Sequence, residues 1–149
     1  MGLSAPAMLY LLDTNICIHL IQRQPPHVLQ RLAGLRQGQA VMSVVTYAEL
    51  CAGLEIQSRN REHDAQVLAL LVQRIPVLPF TEGAAQAYGV LRAAVRERRR
   101  DALDRLIAAH AIAVAAVLVT NNEADFRDYP GLQWENWVRG TSPDAPQPA

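Results

Sequence analysis

Four carboxylates stand where a chain of alternating strands and helices can gather them: Asp13, Glu49, Asp104 and Asp125. Asp13 ends the apolar run "LYLL", Glu49 lies in "SVVTYAELCAGL", Asp104 in "DALDRLIAAHAIA" and Asp125 in "VLVTNNEADFRDYPG". A single acid behind a strand is an ordinary helix cap, because its carboxylate accepts from the first unsatisfied backbone N–H groups. Several acids at one edge have a different consequence. Two carboxylates about 5 Å apart repel by roughly 3 kcal/mol at an effective dielectric near 20. A fold of marginal stability must then protonate some of them or hold a cation among them. Oxygen ligands with no His or Cys beside them select Mg²⁺ or Mn²⁺ over zinc. An open, carboxylate-held ion suits phosphoryl chemistry, in which it activates a water and stabilises the attacking and leaving oxygens of an in-line displacement.

The small polar residues beside these acids fit a supporting role. Thr14, Asn15, Ser43, Thr120, Asn121 and Asn122 can orient ligands, hold water or contact phosphate, and each also has an ordinary reading as a cap or turn residue. Asp101, Glu123 and Asp128 are near enough in sequence to join or replace a member of the acidic set, although helix capping is the simpler role for Asp101. His110 and His19 each follow an acid by six residues. On a helix that spacing is a rotation of about 240°, so both read as packing histidines rather than general bases. The run Arg96, Arg98, Arg99 and Arg100 reads equally as a grip on phosphates or an acidic partner and as a solvated helix end. Trp134 and Trp137 read as packing residues before base-stacking ones.

The elements that must position these groups follow from the apolar pattern. Strands are expected at 8–12, 40–43, 75–80 and 117–120, the third pinned to an edge by its prolines, with "LQWENW" closing the domain. Helices are expected at 14–22, 27–36, 46–57, 62–74, 81–99 and 101–113, with Ser43, Thr81 and Asp101 as caps, and a helical turn in the loop after 120. This alternation predicts an α/β fold, a single domain over 8–138 with a central parallel sheet of about five strands flanked by helices. Functional sites in such sheets form beyond the carboxyl ends of the strands, where Asp13 lies. Residues 1–7 read as an N-terminal extension and 139–149 as a disordered tail.

Composition narrows the class further. Of 149 residues, 50% are hydrophobic, which excludes wholesale disorder. The formal net charge is zero, so no global field draws the chain to nucleic acid or membranes, and all 14 basic residues are Arg. Cys17 and Cys51 form no disulfide framework and lack metal-site spacing. The start has no basic segment of the secretory kind, and the apolar run 106–119 is too short to span a bilayer. A cytoplasmic protein with reduced thiols is the expectation.

In order along the chain, "LYLLDTNICI", "SVVTYAELCAGL", "DRLIAAHAIA" and "VLVTNNEADFRDYPGLQWENW" resemble the acidic motifs of the PIN-domain endoribonucleases, in particular the VapC-type toxins of bacterial toxin–antitoxin pairs. The resemblance implies a PIN-like fold and a Mg²⁺- or Mn²⁺-dependent ribonuclease, with Asp13, Glu49, Asp104 and Asp125 as catalytic and metal-binding residues. It implies homodimers, neutralised by a VapB-type antitoxin whose C-terminal segment enters the site. The ending "TNNxxDFxxxPGLxxENW" resembles the group that cuts initiator transfer RNA in the anticodon loop. One stretch departs from the pattern. Relatives usually have an Ile-Gly pair before the third acid's helix, where this chain has "RERRRDALD". A positive φ there costs more at Asp101 than at Gly. Two other readings compete: a structure-specific deoxyribonuclease, which would carry long insertions to hold a duplex, and a silent binding module, which would normally have lost an acid.

Overall fold

Short apolar runs become strands, and the sheet they form puts the first of them at its centre. The computed structural model describes residues 8–97 and 101–139. Its strands are β1 (Tyr10–Leu12), β2 (Ala40–Ser43), β3 (Val77–Leu78), β4 (Val117–Val119) and β5 (Trp134–Glu135). They lie in the order β3-β2-β1-β4-β5, and every pair is parallel. β3 is an edge, as its prolines require; the Pro76 carbonyl still accepts from Met42 N at 2.9 Å.

The helices are α1 (Thr14–Gln22), α2 (Pro26–Ala33), α3 (Val44–Gln57), α4 (Arg61–Arg74), α5 (Glu82–Ala94), α6 (Ala102–Ala113) and the single turn α7 (Glu123–Phe126). They cover both faces of the sheet. On one face Leu12 packs with Ile16, Cys17, Leu50, Leu68 and Trp137 of α1, α3, α4 and the C-terminal segment. On the other, Leu11 packs with Leu91, Ile107, Ala108 and Phe126 of α5, α6 and α7. Adjacent leucines of one strand thus serve opposite cores, and both are fully buried. Burial of each is worth about 1.5–3 kcal/mol.

Several boundaries differ from the sequence expectation. The helix read over 81–99 ends at Ala94, where Val95 leaves helical backbone (φ −119°) and bonds back to the Leu91 carbonyl. The helix read over 27–36 starts at Pro26 and stops at Ala33 before Gly34. The strand read over 75–80 pairs only at Val77 and Leu78, since Pro76 and Pro79 lack the N–H groups a longer ladder needs. The expected extension 1–7, residues 140–149 of the expected tail and Arg98, Arg99 and Arg100 lie outside the described residues. No described helix is long and apolar enough to cross a membrane.

Candidate metal centre

Asp13 leaves the central strand while still tied to the sheet, its N–H donating to the Val119 carbonyl at 3.0 Å. Its Oδ1 accepts from Ile16 N at 2.9 Å and so caps α1. The capping reading of this acid is therefore realised. It is only 4% exposed. Burial pushes its carboxyl up to about 6; hydrogen bonds from the Thr120 hydroxyl and the Ile16 backbone pull the other way, and the charge of Glu49 adds to the rise.

Glu49 projects from α3 and is fixed by the first residue of α1: the Thr14 hydroxyl donates to its Oε1 at 2.7 Å. The Thr14 and Thr46 hydroxyl oxygens are 3.4 Å apart. Thr46 is fully buried one helical turn before Glu49, and sequence reasoning passed over it. The i, i+3 spacing to Glu49 was the available signal.

Asp104 sits in the first turn of α6 and Asp125 on α7. Among the described residues, carboxylate oxygens of Asp101, Asp104 and Asp125 lie within 4.8 Å of one another. Asp104 is pushed up to about 6, first by burial, then by the charges of Asp101, Asp125, Asp13 and Glu49. Asp104 thus feels the charges of four other acids, of which Asp13 and Glu49 lie outside the 4.8 Å grouping. Asp125 is held by the Asn122 side-chain amide, and Asn122 N donates to Thr120 Oγ1 at 2.9 Å. This chain of contacts links the end of β4 to the acids.

The other expected site residues divide. Thr14, Thr120 and Asn122 touch members of the acidic set. Asn15 is exposed on the groove beside Thr14, and its backbone N–H favours the Asp13 carboxylate. Ser43 does not join: its hydroxyl caps α3 through Val45 N and lies 2.7 Å from His110 Nδ1. Asn121 is exposed and accepts from the Asn136 amide at 3.4 Å. Glu123 is drawn away by Arg139 at 2.8 Å and Asn136 at 3.0 Å, and Asp128 is exposed outside the group. Asp101 reverses its simpler expectation. It occupies the cap position of α6 but makes no side-chain cap hydrogen bond, because its backbone is left-handed (φ 66°, ψ 37°).

His110 is a packing residue as read: 1% exposed, edge-on to Phe80, with burial lowering its pKa. Trp137 is buried under the Arg31 guanidinium, and Trp134 packs at the sheet edge. Buried Asn136, which ties the C-terminal turn to Glu123, stands in the "ENW" of the closing motif but was given no role of its own, its partner being 13 residues away. A groove of about 810 Å³ runs from Thr14 and Glu49 along α1, α3 and α4, past Ile18, Leu54, Val67 and Leu103.

The PIN domain profile matches residues 10–132 of this chain. The chain is 36% identical over 135 residues to ribonuclease VapC1 of Haemophilus influenzae strain R2866, covering 89% of this chain and all of that protein. It is 38% identical over 130 residues to the tRNA(fMet)-specific endonuclease VapC of Shigella flexneri, covering 86% and 97%. Its fold is similar to the DNA-bound VapBC structure from Salmonella typhimurium, with a TM-score of 0.80 at 33% identity over 87% of this chain and 98% of that one.

Proposed function

This chain belongs to the PIN-domain family, and from that premise we propose that it is a VapC-type toxin, a Mg²⁺- or Mn²⁺-dependent endoribonuclease restrained by a VapB-type antitoxin. The observation that supports the reading is that carboxylate oxygens of Asp104 and Asp125 lie within 4.8 Å of each other, beside Asp101, with Asp13 and Glu49 near enough for their charges to push Asp104 up. An apolar fold has little reason to gather acids unless a cation offsets their repulsion.

The donor set fits that cation. It is made of carboxylate oxygens, the ligands hard divalent ions take. Asp13, Asp104 and Asp125 would hold the ion, with Glu49 facing the water. Once bound, it supplies a Lewis acid that lowers the pKa of water and neutralises charge on the phosphoryl oxygens. The chain's own residues do the rest. Thr14 fixes Glu49 through Oε1, which leaves Oε2 to orient the attacking water and take its proton. The Ile16 N–H and Asn122 amide hold Asp13 and Asp125 in register, so the site is organised before substrate arrives. Water attacks phosphorus directly, the bond to the leaving sugar oxygen breaks, and no covalent enzyme intermediate forms.

Initiator transfer RNA, cut in its anticodon loop, is the proposed substrate; the Shigella relative's name and the shared closing motif support it. The groove leading away from Glu49 offers an antitoxin segment an apolar seat beside that acid, and a homodimer completes the proposed assembly. The test is to sequence RNA ends after induced expression of the wild type and of Asp104→Asn. New ends in that loop, absent with the variant and suppressed by co-expressed antitoxin, are expected. Ends elsewhere would overturn the substrate, and identical ends from both proteins would overturn the nuclease reading.

A further inference from the structure

We propose that the Ser43–His110 hydrogen bond is the pin that sets the register of α3 against α6, with His110 a positioning residue that keeps Asp104 level with Glu49. The inference rests on the nuclease reading above and concerns how its acids are held. His110 is 1% exposed and Ser43 fully buried, and His110 Nδ1 lies 2.7 Å from Ser43 Oγ. Among the described residues, the buried Nε2 has no hydrogen-bond partner in the chain. A buried imidazole with one nitrogen unmatched costs more than an apolar side chain of similar size. Its edge-on contact with Phe80 is one that Phe would make as well. Packing therefore does not account for a histidine here, and the bond to Ser43 does.

The place of the bond in the fold shows what it fixes. Ser43 caps α3, and Glu49 stands six residues further on; His110 is in the last turn of α6, six residues after Asp104. The two helices run in opposite senses where they meet. The start of α3 meets the end of α6 through this bond, while Leu103 in the first turn of α6 shares the groove wall with Glu49, Gly53 and Ile56. Six helical residues rise about 9 Å. That step from the bonded pair, taken forward on α3 and backward on α6, ends at Glu49 and at Asp104. The charge of Glu49 reaches Asp104, as this register requires. Apolar contacts let packed helices slide a little, whereas a directed hydrogen bond at one point holds them. The stakes are high, since a misplacement of about 1 Å can cost about a hundredfold in rate.

The test compares full-length wild type, His110→Phe, His110→Asn and Ser43→Ala at a temperature where circular dichroism shows each folded. Phe keeps a ring and loses the bond; Asn loses the ring and keeps an amide atom close to the Nδ1 position. The EDTA-stripped chains are titrated with MnCl₂ alone by calorimetry, and cleavage of total transfer RNA is followed at saturating Mn²⁺. His110→Phe should bind Mn²⁺ about tenfold more weakly and cut about tenfold more slowly, with KM and the shape of the pH profile unchanged. His110→Asn should stay within about threefold of wild type in both, although loss of the ring lowers its Tm. Ser43→Ala should lose as much as His110→Phe, and the double variant no more than either single one. Wild-type affinity and rate in folded His110→Phe or Ser43→Ala would overturn the pin and leave the nuclease reading standing. So would a His110→Asn as impaired as His110→Phe, or losses that multiply in the double variant. A wild type that takes up no Mn²⁺ and cuts no RNA would overturn both.

Discussion

Replacing Asp13 with Asn separates what the site costs the fold from what it does for catalysis. The Asp13 carboxyl is held at about 6 against an ordinary value of 3.8. Below the lower value, folded and unfolded chains are both protonated and this group contributes nothing. As pH rises from about 4 to 6 the unfolded chain gives up its proton and the folded chain keeps it, so stability declines. Above 6 the deficit levels off at about 3 kcal/mol, at 1.36 kcal/mol per pH unit. Asn still accepts from Ile16 N–H through Oδ1, so the cap of α1 survives. In EDTA at pH 7.5, Asp13→Asn should therefore be more stable than wild type by up to about 3 kcal/mol, or about 6–12 °C in Tm. The difference should vanish near pH 4. Mn²⁺ should then raise the Tm of wild type and leave the variant unchanged, since only a ligand that binds the native state stabilises it. Thermal denaturation followed by circular dichroism from pH 4 to 8 measures all of this. A variant less stable than wild type at pH 7.5, or a difference that does not change with pH, would refute the argument.

Other consequences are simpler to check. Asn122→Ala releases Asp125 and should weaken Mn²⁺ binding by tenfold or more, measured by the same calorimetry. His110→Phe leaves the buried Ser43 hydroxyl only its cap bond from Val45 N and should cost about 1–3 kcal/mol in chemical denaturation. The pH profile of cleavage should keep its shape, and loss of one limb would make His110 a base after all. Replacing Arg98, Arg99 and Arg100 with Ala should weaken RNA binding and flatten its dependence on log salt by up to about 2, from about 0.7 per phosphate contact. An unchanged slope would remove these arginines from the phosphate contacts.

The sheet was legible because its strands are short apolar runs that end in polar residues, as "LYLL" ends at Asp13 and "VLV" at Thr120. Ser43 and Thr81 were readable as caps, and both accept the expected backbone bonds. What local pattern could not reveal were contacts made across the fold. Ser43 looks like a site residue until His110, 67 residues later, is seen to approach its hydroxyl. Glu123 is an acid in a suitable loop, yet Arg139 and Asn136 draw it off from the other side. The end of α5 was illegible because "AAVRERR" contains no Gly or Pro, and alanine and arginine are good helix formers. At Asp101 the sequence signal was present and ambiguous. It was read as a helix cap, and the left-handed backbone is what removes the side-chain cap bond.

The claim on which all of this depends is that acids distant in sequence gather to hold one kind of guest, a hard divalent cation. Anomalous scattering from a crystal of the full chain soaked in MnCl₂ tests it most directly. The account predicts a peak about 2.1 Å from carboxylate oxygens of Asp13 and Asp104, with Asp125 in the same coordination shell. A crystal that takes up manganese elsewhere, or leaves these carboxylates without a peak at saturating metal, would contradict it.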